Sequence, residues 1–491
     1  MKLKGKVPLL HLKIKRNFTN MSICDFGIKN NRVEGALVNI LVQDTHPLIK
    51  LANVLPWEKM FEIILPDLRK TAKGQYHRGR KLKIRPHLGV FLLQQFYNRT
   101  DRQIEYDVKE NAAFQLFCGK SLMLNWHCPD HTKIEEFRSR ITPENQRKLA
   151  NLIAINATKM GFADPKHCDV DSTIQSANIS RPSKAAILTK IACAAKKVAV
   201  FLEGKILSPM EFISSGLSCF NLKDIKGIFK EYVFTKKKLE PSEVKGKLER
   251  LFQAVIDPVA IVIKVSRSLW DFQKEKLPWN IVATIKQLTN VGWEYIKAIG
   301  DELYFNKKAI DLPLSLHAKE VACFSKNKQH TKRYQFGRAY QLTRIKGNFM
   351  LVGDCTSIKM NDKQCLATLL LEHNDFFPEQ RIESLATDKG YYSKDNEQLL
   401  IGKGVKEIGI ARPVNIEREK LHSEETEEKL ANRRAGIEPL IGHIKRAGQL
   451  SRSRMKKDES TKAAGYTAVL GFNLRQTKNY LTGKHKSSQT A

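Results

Sequence analysis

The sequence predicts a mixed α/β protein: a helical N-terminal region, then an α/β core interrupted by a long helical insertion. Three observations predict it. Apolar residues recur at helical spacing from His46 onward, and a strand–turn–helix–strand pattern runs through 382–411. Between the first strand-like run and the later ones, residues 183–306 are Lys-rich and helix-patterned throughout.

Residues 1–35 are basic and weakly patterned, the composition of an arm. Residues 47–55 then repeat their apolar positions at helical spacing, and Trp57 and Phe61 continue the pattern. A basic lead-in follows, with Lys73, Arg78, Arg80, Lys81, Lys83 and Arg85. Pro86 starts an apolar helix, Asn98-Arg99 makes a turn, and Thr100 suits the N-cap of a second helix carrying Ile104, Tyr106 and Val108. Two helices and a turn beside a basic segment make a helix-turn-helix-like unit, although most such pairs are merely core. Residues 168–173 read as a strand, in which Asp169 and Asp171 share a face. The helical stretch after it has long amphipathic runs at 248–272 and 281–303.

Strand character returns at 334–342 and 347–353, whereas 363–371 fits strand or helix equally. Residues 382–387 lead into Asp388, Ser393 caps a helix that Gly404 ends, and 408–411 form the next strand. Such a crossover is right-handed, with Asp388 at the carboxyl end of its first strand, where functional groups collect in open α/β sheets. From about Glu424 the chain is helical and strongly basic.

Of the 491 residues, 84 are Lys or Arg and 51 are Asp or Glu, a net charge of +33. Apolar residues at 42% and charged residues at 27% suit a globular protein and argue against disorder. The apolar runs fall well short of the ~20 residues a membrane span needs, and the charged N-terminus does not suit a signal peptide. Nine cysteines without a C-x-x-C pair argue against a disulfide framework or zinc site, and fit a reducing, cytoplasmic compartment. His127-Cys128-Pro129-Asp130-His131 looks like a ligand cluster, but adjacent residues seldom converge on one ion. Charge spread along the whole chain points to a polyanion, because each Lys or Arg at a phosphate releases counterions.

The chemistry concentrates in a helix-patterned segment around 433–446. Arg434 and Glu438 are one turn apart and Lys445 lies seven positions on, all on one face, with Ile437, Leu440 and Ile444 on another. A carboxylate flanked by two cations suits a metal and phosphates; an ordinary surface ion-pair face suits the same pattern. Pro439 inside a helix would cost about 3 kcal/mol unless it stands in the first turn. Residues 433–457 carry eight Lys or Arg against the one acid Glu438, the charge of a DNA-facing surface.

Asp171, Asp388 and Glu438, with Arg434 four positions before the Glu and Lys445 seven after it, resemble a DDE transposase of a bacterial insertion sequence. The R-x3-E-x6-K spacing is that of the Y-R-E-K branch. The resemblance extends through HPLIKLANVLPWEKMF at 46–61, the segments at 79–120, CPDHTKIEEFRSR at 128–140, Ser315-Leu316-His317, Gln335-Phe336-Gly337 and Asn473-Leu474-Arg475. One position departs: Ala431 stands where the signature has tyrosine, as in members with a helical insertion after the first Asp, and that tyrosine's role is not carried over.

The resemblance implies an RNase H-like catalytic core at 151–181 and 311–482, split by a helical insertion at 182–310. It also implies a helical DNA-binding domain at 36–150, with an arm at 1–35 and a flexible tail at 483–491. It implies cut-and-paste transposition by hydrolysis of the element's ends and 3′-OH strand transfer. Asp171, Asp388 and Glu438 would be catalytic, holding two Mg²⁺ (or Mn²⁺) ions, one for the nucleophile and one for the leaving oxygen. Asp169 is the rival first carboxylate. DNA contacts are expected from Arg433, Arg434, Lys445, Arg446, Lys389, Arg78, Arg80 and Lys81. The expected partners are double-stranded DNA, as terminal inverted repeats and target, and a second copy of the chain on that DNA, in the bacterial nucleoid. Two rivals stand beside this reading: a catalytically decayed DNA-binding derivative, and a stand-alone RNase H-like nuclease.

Overall fold

A computed structural model of the chain describes residues 27–29, 32–34, 42–69, 84–119, 128–273, 277–307, 312–318, 320–325, 334–354, 361–411, 421–455 and 457–484. The chain divides into two units, residues 1–141 with 474–491, and residues 142–473. Arg78, Arg80 and Lys81, and most of the expected arm, lie outside the described residues.

The first unit opens with a short antiparallel pair, β1 (Gly27–Lys29) and β2 (Arg32–Glu34). Helices α1 (Pro47–Val54), α2 (Trp57–Arg69), α3 (Ile84–Tyr97), α4 (Asp101–Glu110), α5 (Ala112–Phe117) and α6 (His131–Arg140) follow. Their ends are set by local chemistry. The His46 ring accepts the Leu48 N–H ahead of Pro47, and Thr100 with Gln103 closes a capping box on α4. Asp130 accepts the N–H groups of Thr132 and Lys133 as N-cap of α6, so in the His-Cys-Pro-Asp-His run it caps a helix. Leu51, Met60, Ile64, Leu92, Leu93 and Ile104 are fully buried between these helices.

The second unit begins with α7 (Pro143–Lys159) and the long strand β3 (Asp164–Ser176). Six α-helices then intervene among the described residues: α8 (Lys184–Lys205), α9 (Pro209–Ser214), α10 (Leu222–Thr235), α11 (Pro241–Gln273), α12 (Trp279–Gln287) and α13 (Trp293–Phe305). They share an apolar core of their own, built around Ile191, Val198, Leu251, Val255 and Ile299. The insertion is therefore a helical bundle that buries its own apolar faces.

The sheet resumes with β4 (Ala322–Ser325), β5 (Tyr334–Lys346) and β6 (Phe349–Val352). Helix α14 (Asp362–Phe376) resolves the ambiguous 363–371 run: Asn361 and Gln364 close a capping box at its start. Strand β7 (Ser384–Thr387), α15 (Lys394–Gly402) and β8 (Glu407–Ile410) form the expected crossover, with Ser393 as N-cap and Gly404 at φ +76° after the helix. Helices α16 (Glu424–Ala435), α17 (Ile437–Arg446) and α18 (Asp458–Leu481) complete the chain.

The strand order is β4-β5-β3-β7-β8, with β6 also on β5. Strand β3 runs antiparallel to β5 and parallel to β7, and β7 runs parallel to β8. The β5–β6 hairpin turns through Gly347 and Asn348, both at positive φ; a Cβ on Gly347 would stand 2.2 Å from the Phe162 carbonyl oxygen. Glycine is required there on both counts.

Candidate active site

Register assembles the site. In the parallel pair, Val170 lies opposite Thr387, so Asp171 and Asp388 occupy the next rung, where β7 ends. Asp388 then caps a short 3-10 turn (Lys389–Tyr391), accepting the Lys389 N–H at 2.7 Å. The Ser172 N–H donates to Asp171 Oδ1 at 2.7 Å.

The third carboxylate arrives on a different helix from the arginine before it. The continuous helix expected over 433–446 is two helices meeting at Gly436, which places Pro439 in the first turn of α17, where it breaks no intrahelical bond. Glu438 shares that turn, a favourable place for negative charge. The four-residue spacing survives the break. Arg434 reaches Asp388 Oδ1 with Nη1 and Glu438 Oε1 with Nη2, both at 3.2 Å. The side chains of Asp388 and Glu438 are 49% and 66% exposed, so the site opens to solvent on their side.

Asp171 is the buried member. Desolvation pushes its carboxyl up to about 6; the Ser172 N–H and Arg434 oppose this, while Asp388 and Glu438 add to it. Asp171 thus feels the charge of the other two carboxylates. Oxygen donors with surplus negative charge fit a hard divalent cation. In the arrangement seen, Arg434 bridges two of them, and among the described residues no three such side chains stand close enough to share one ion.

Asp169 has a different environment. Its side chain is 3% exposed and held by two arginines: Arg344 through Oδ2 at 2.6 Å and Arg433 through Oδ1 at 2.8 Å. Arg433 also donates to Ser384 Oγ and the Cys168 carbonyl, and Arg344 to the Arg433 carbonyl. Arg433, expected at DNA, has these partners within the protein. Its guanidinium is spent fastening α16 to the sheet, which leaves the adjacent Arg434 directed at the carboxylates. A Cβ on Gly436 would fall 2.4 Å from Arg344 Nη1, so the helix break is also where that arginine passes. Lys389 and Arg446 are exposed, Arg446 beside His443, and Lys445 is half-buried in the last turn of α17.

Asp362 carries a network that pattern reading misses. It accepts from Ser172 Oγ at 3.2 Å and from Gln341 Nε2 at 2.8 Å, and Gln341 Oε1 accepts from the buried Tyr391 hydroxyl. Asn396 donates to the Tyr391 carbonyl at 2.7 Å. The chain of contacts ties the residue after Asp171 to the turn after Asp388. Its only sequence signal is Asn361-Asp362 ahead of an apolar run, a helix start. On the reading of this site that the sequence resemblance implies, Asp362→Ala is expected to slow DNA cleavage about 10–100-fold, the usual cost of removing an outer partner. Asp362→Asn, which keeps an acceptor, is expected to recover most of the rate; equal rates for Ala and wild type would remove the network from the site.

A strongly basic chain with acidic groups on adjacent parallel strands and a following helix belongs to the class of proteins that work on nucleic acid. Residues 38–140 match the family described as Transposase domain (DUF772), and residues 314–474 match Transposase DDE domain. The chain therefore carries the two domains of an insertion-sequence DDE transposase, a DNA transposase whose family consists of polynucleotidyl transferases. Asp388, Arg434, Glu438 and Lys445 lie inside the second match; Asp171 and the insertion lie outside both. The chain is also similar to an uncharacterized protein, ORF8 in the nfe locus of Rhizobium meliloti. The two are 24% identical over 159 residues, which cover 31% of this chain and 72% of that protein. No solved structure matches. Among the described residues no helix is long and apolar enough to cross a membrane.

Proposed function

We propose that this chain cuts the ends of its own insertion sequence and joins the freed 3′-OH groups to target DNA, on an RNase H-like core. The observation that carries the reading is that Arg434 joins Asp388 to Glu438 near Asp171, whose carboxyl feels the charge of all three. The three carboxylates come from two adjacent parallel strands and a helix, 388 − 171 = 217 and 438 − 388 = 50 positions apart in sequence. A first strand flanked by one antiparallel and one parallel neighbour, with a further parallel strand beyond, supports the RNase H-like assignment.

Asp171, Asp388 and Glu438 would hold the divalent ions, Mg²⁺ or Mn²⁺. When bound, such ions supply charge neutralisation for the attacking and leaving oxygens of an in-line displacement. Arg434 neutralises part of the carboxylate charge in the protein alone and is placed to turn to a DNA phosphate. Lys445 and Arg446, in the last turn of the helix that carries Glu438, and Lys389, beside Asp388, would supply further phosphate contacts. Asp362, through Ser172 and Tyr391, holds the first two carboxylates in register. Residues 36–150 would grip the terminal repeats, with catalysis at 151–181 and 311–482. Two ends must meet, so the working species on DNA is a dimer, acting in the cytoplasm on nucleoid DNA.

The test is cleavage of a labelled duplex carrying the element's ends, with Mg²⁺ or Mn²⁺. Boundary nicking that needs metal and disappears in Glu438→Ala is the expected result. End binding without cleavage in wild type would favour a decayed DNA-binding derivative. Cleavage that persists in the variant would return Glu438 to a surface ion pair.

A further inference from the structure

The helical bundle between β3 and β4 has no part in the chemistry above, yet one of its faces is chemically distinct. Helix α10 turns Ile225 into the bundle core, with Leu222, Ile228, Phe229 and Tyr232 packed beside it. At 100° per residue the opposite face carries Lys223, Lys226, Gly227, Lys230 and Phe234, and continuing the same phase past the helix end brings Lys237 onto it. All six are exposed, Phe234 by 77%, and the space beside Gly227 is open.

The acids of α10 are segregated from this stripe. Asp224 and Glu231 fall about 100° away by helical phase; Asp224 accepts from Asn221, and Glu231 is taken by Lys247 and Arg250 from α11. A merely solvated helix interleaves opposite charges at i,i+4. Here Lys226 and Lys230 are like charges at that spacing. Lys223 sits in the first turn, where the helix dipole disfavours a cation. Intrahelical electrostatics therefore work against the stripe, and a polyanion laid along it would reverse the sign.

We infer that this face of the insertion lies along the sugar–phosphate backbone of duplex DNA, Lys223, Lys226, Lys230 and Lys237 each meeting a phosphate and Phe234 packing between them. The inference rests on the transposase reading and gives the insertion a DNA-binding role. From Lys223 to Lys237 the stripe runs about 21 Å at 1.5 Å per residue. One DNA strand presents a phosphate every ~3.4 Å of axis, so four lysines have ample partners over that length.

The experiment measures Kd for a fluorescein-labelled duplex of arbitrary sequence across a KCl series. It compares wild type, the variant with Lys223→Gln, Lys226→Gln, Lys230→Gln and Lys237→Gln, and a control with Lys205→Gln, Lys264→Gln, Arg267→Gln and Lys297→Gln. The control removes four charges from exposed positions on other helices of the bundle. Loss of four phosphate contacts is expected to reduce the slope of log K against log salt by about 3–4 in the first variant only. A slope equal to wild type, or an equal fall in the control, overturns the inference. Absence of salt-dependent binding by wild type would instead sink the transposase reading, and the inference with it.

Discussion

An Asp171→Asn variant is expected to cut element ends about a thousandfold more slowly than wild type while folding more stably at neutral pH. The first effect follows from the proposed role of Asp171 in holding a divalent ion: losing that charged oxygen would cost several kcal/mol of transition-state stabilisation, at 1.36 kcal/mol per tenfold. The second follows from burial, which raises the folded-state carboxyl from an ordinary 3.8 to about 6. The folded protein holds that proton more tightly than the unfolded chain. The stability this confers is fully present below about pH 4 and is lost as pH rises through about 6. At pH 7 the ionised carboxylate therefore costs roughly 1–3 kcal/mol, which asparagine removes. Urea midpoints at pH 7 and pH 4.5 check the sign: the variant should gain at the higher pH and keep only a smaller part of that gain at the lower. A variant no more stable at pH 7 would mean that Asp171 is not strained by its burial.

Those paired outcomes bear on what could be read before the fold was known. Asp388 was legible because a strand, a polar turn, a capped helix and a second strand follow one another locally, and because such crossovers carry functional groups at the strand's carboxyl end. Glu438 was legible through its four-residue relation to Arg434, which outlasted a helix break. The break itself is set by Gly436, Pro439 and the passage of Arg344 from β5, more than ninety residues earlier, and no local pattern contains that arginine. Arg433 and Arg434 are neighbours pointing about 100° apart, and helical spacing cannot say which faces a sheet not yet placed. The same limit explains Asp362, whose partners Ser172 and Gln341 come from two other elements. Local chemistry identified the elements and their caps; which polar group turned inward depended on register between distant strands.

Asp169 and Asp171 show that dependence most sharply, and they should separate cleanly by experiment. Two positions apart on one strand face, they were separated in the sequence only by the Asp-Ser-Thr pattern that favoured Asp171; in the fold Asp169 is clasped by two arginines and Asp171 feels the charge of two other carboxylates. Asp169→Ala is expected to destabilise the protein by about 3–5 kcal/mol, because it leaves Arg344 and Arg433 inside without a counter-charge. Activity should fall as well, since Arg433 fastens the helix that presents Arg434. The same loss in activity therefore comes with opposite changes in stability: Asp171→Asn gains and Asp169→Ala loses. Denaturant midpoints of both variants at pH 7, measured beside their end-cleavage rates, make the comparison. Replacing the whole clasp by apolar groups, as in Asp169→Leu with Arg344→Met and Arg433→Met, should recover part of the lost stability, because exchanging a buried ionic triad for packed side chains is often neutral. If Asp169→Ala instead folds as stably as wild type and is dead in cleavage, while Asp171→Asn still cuts, the first carboxylate of the site is Asp169 and the clasp is part of the chemistry.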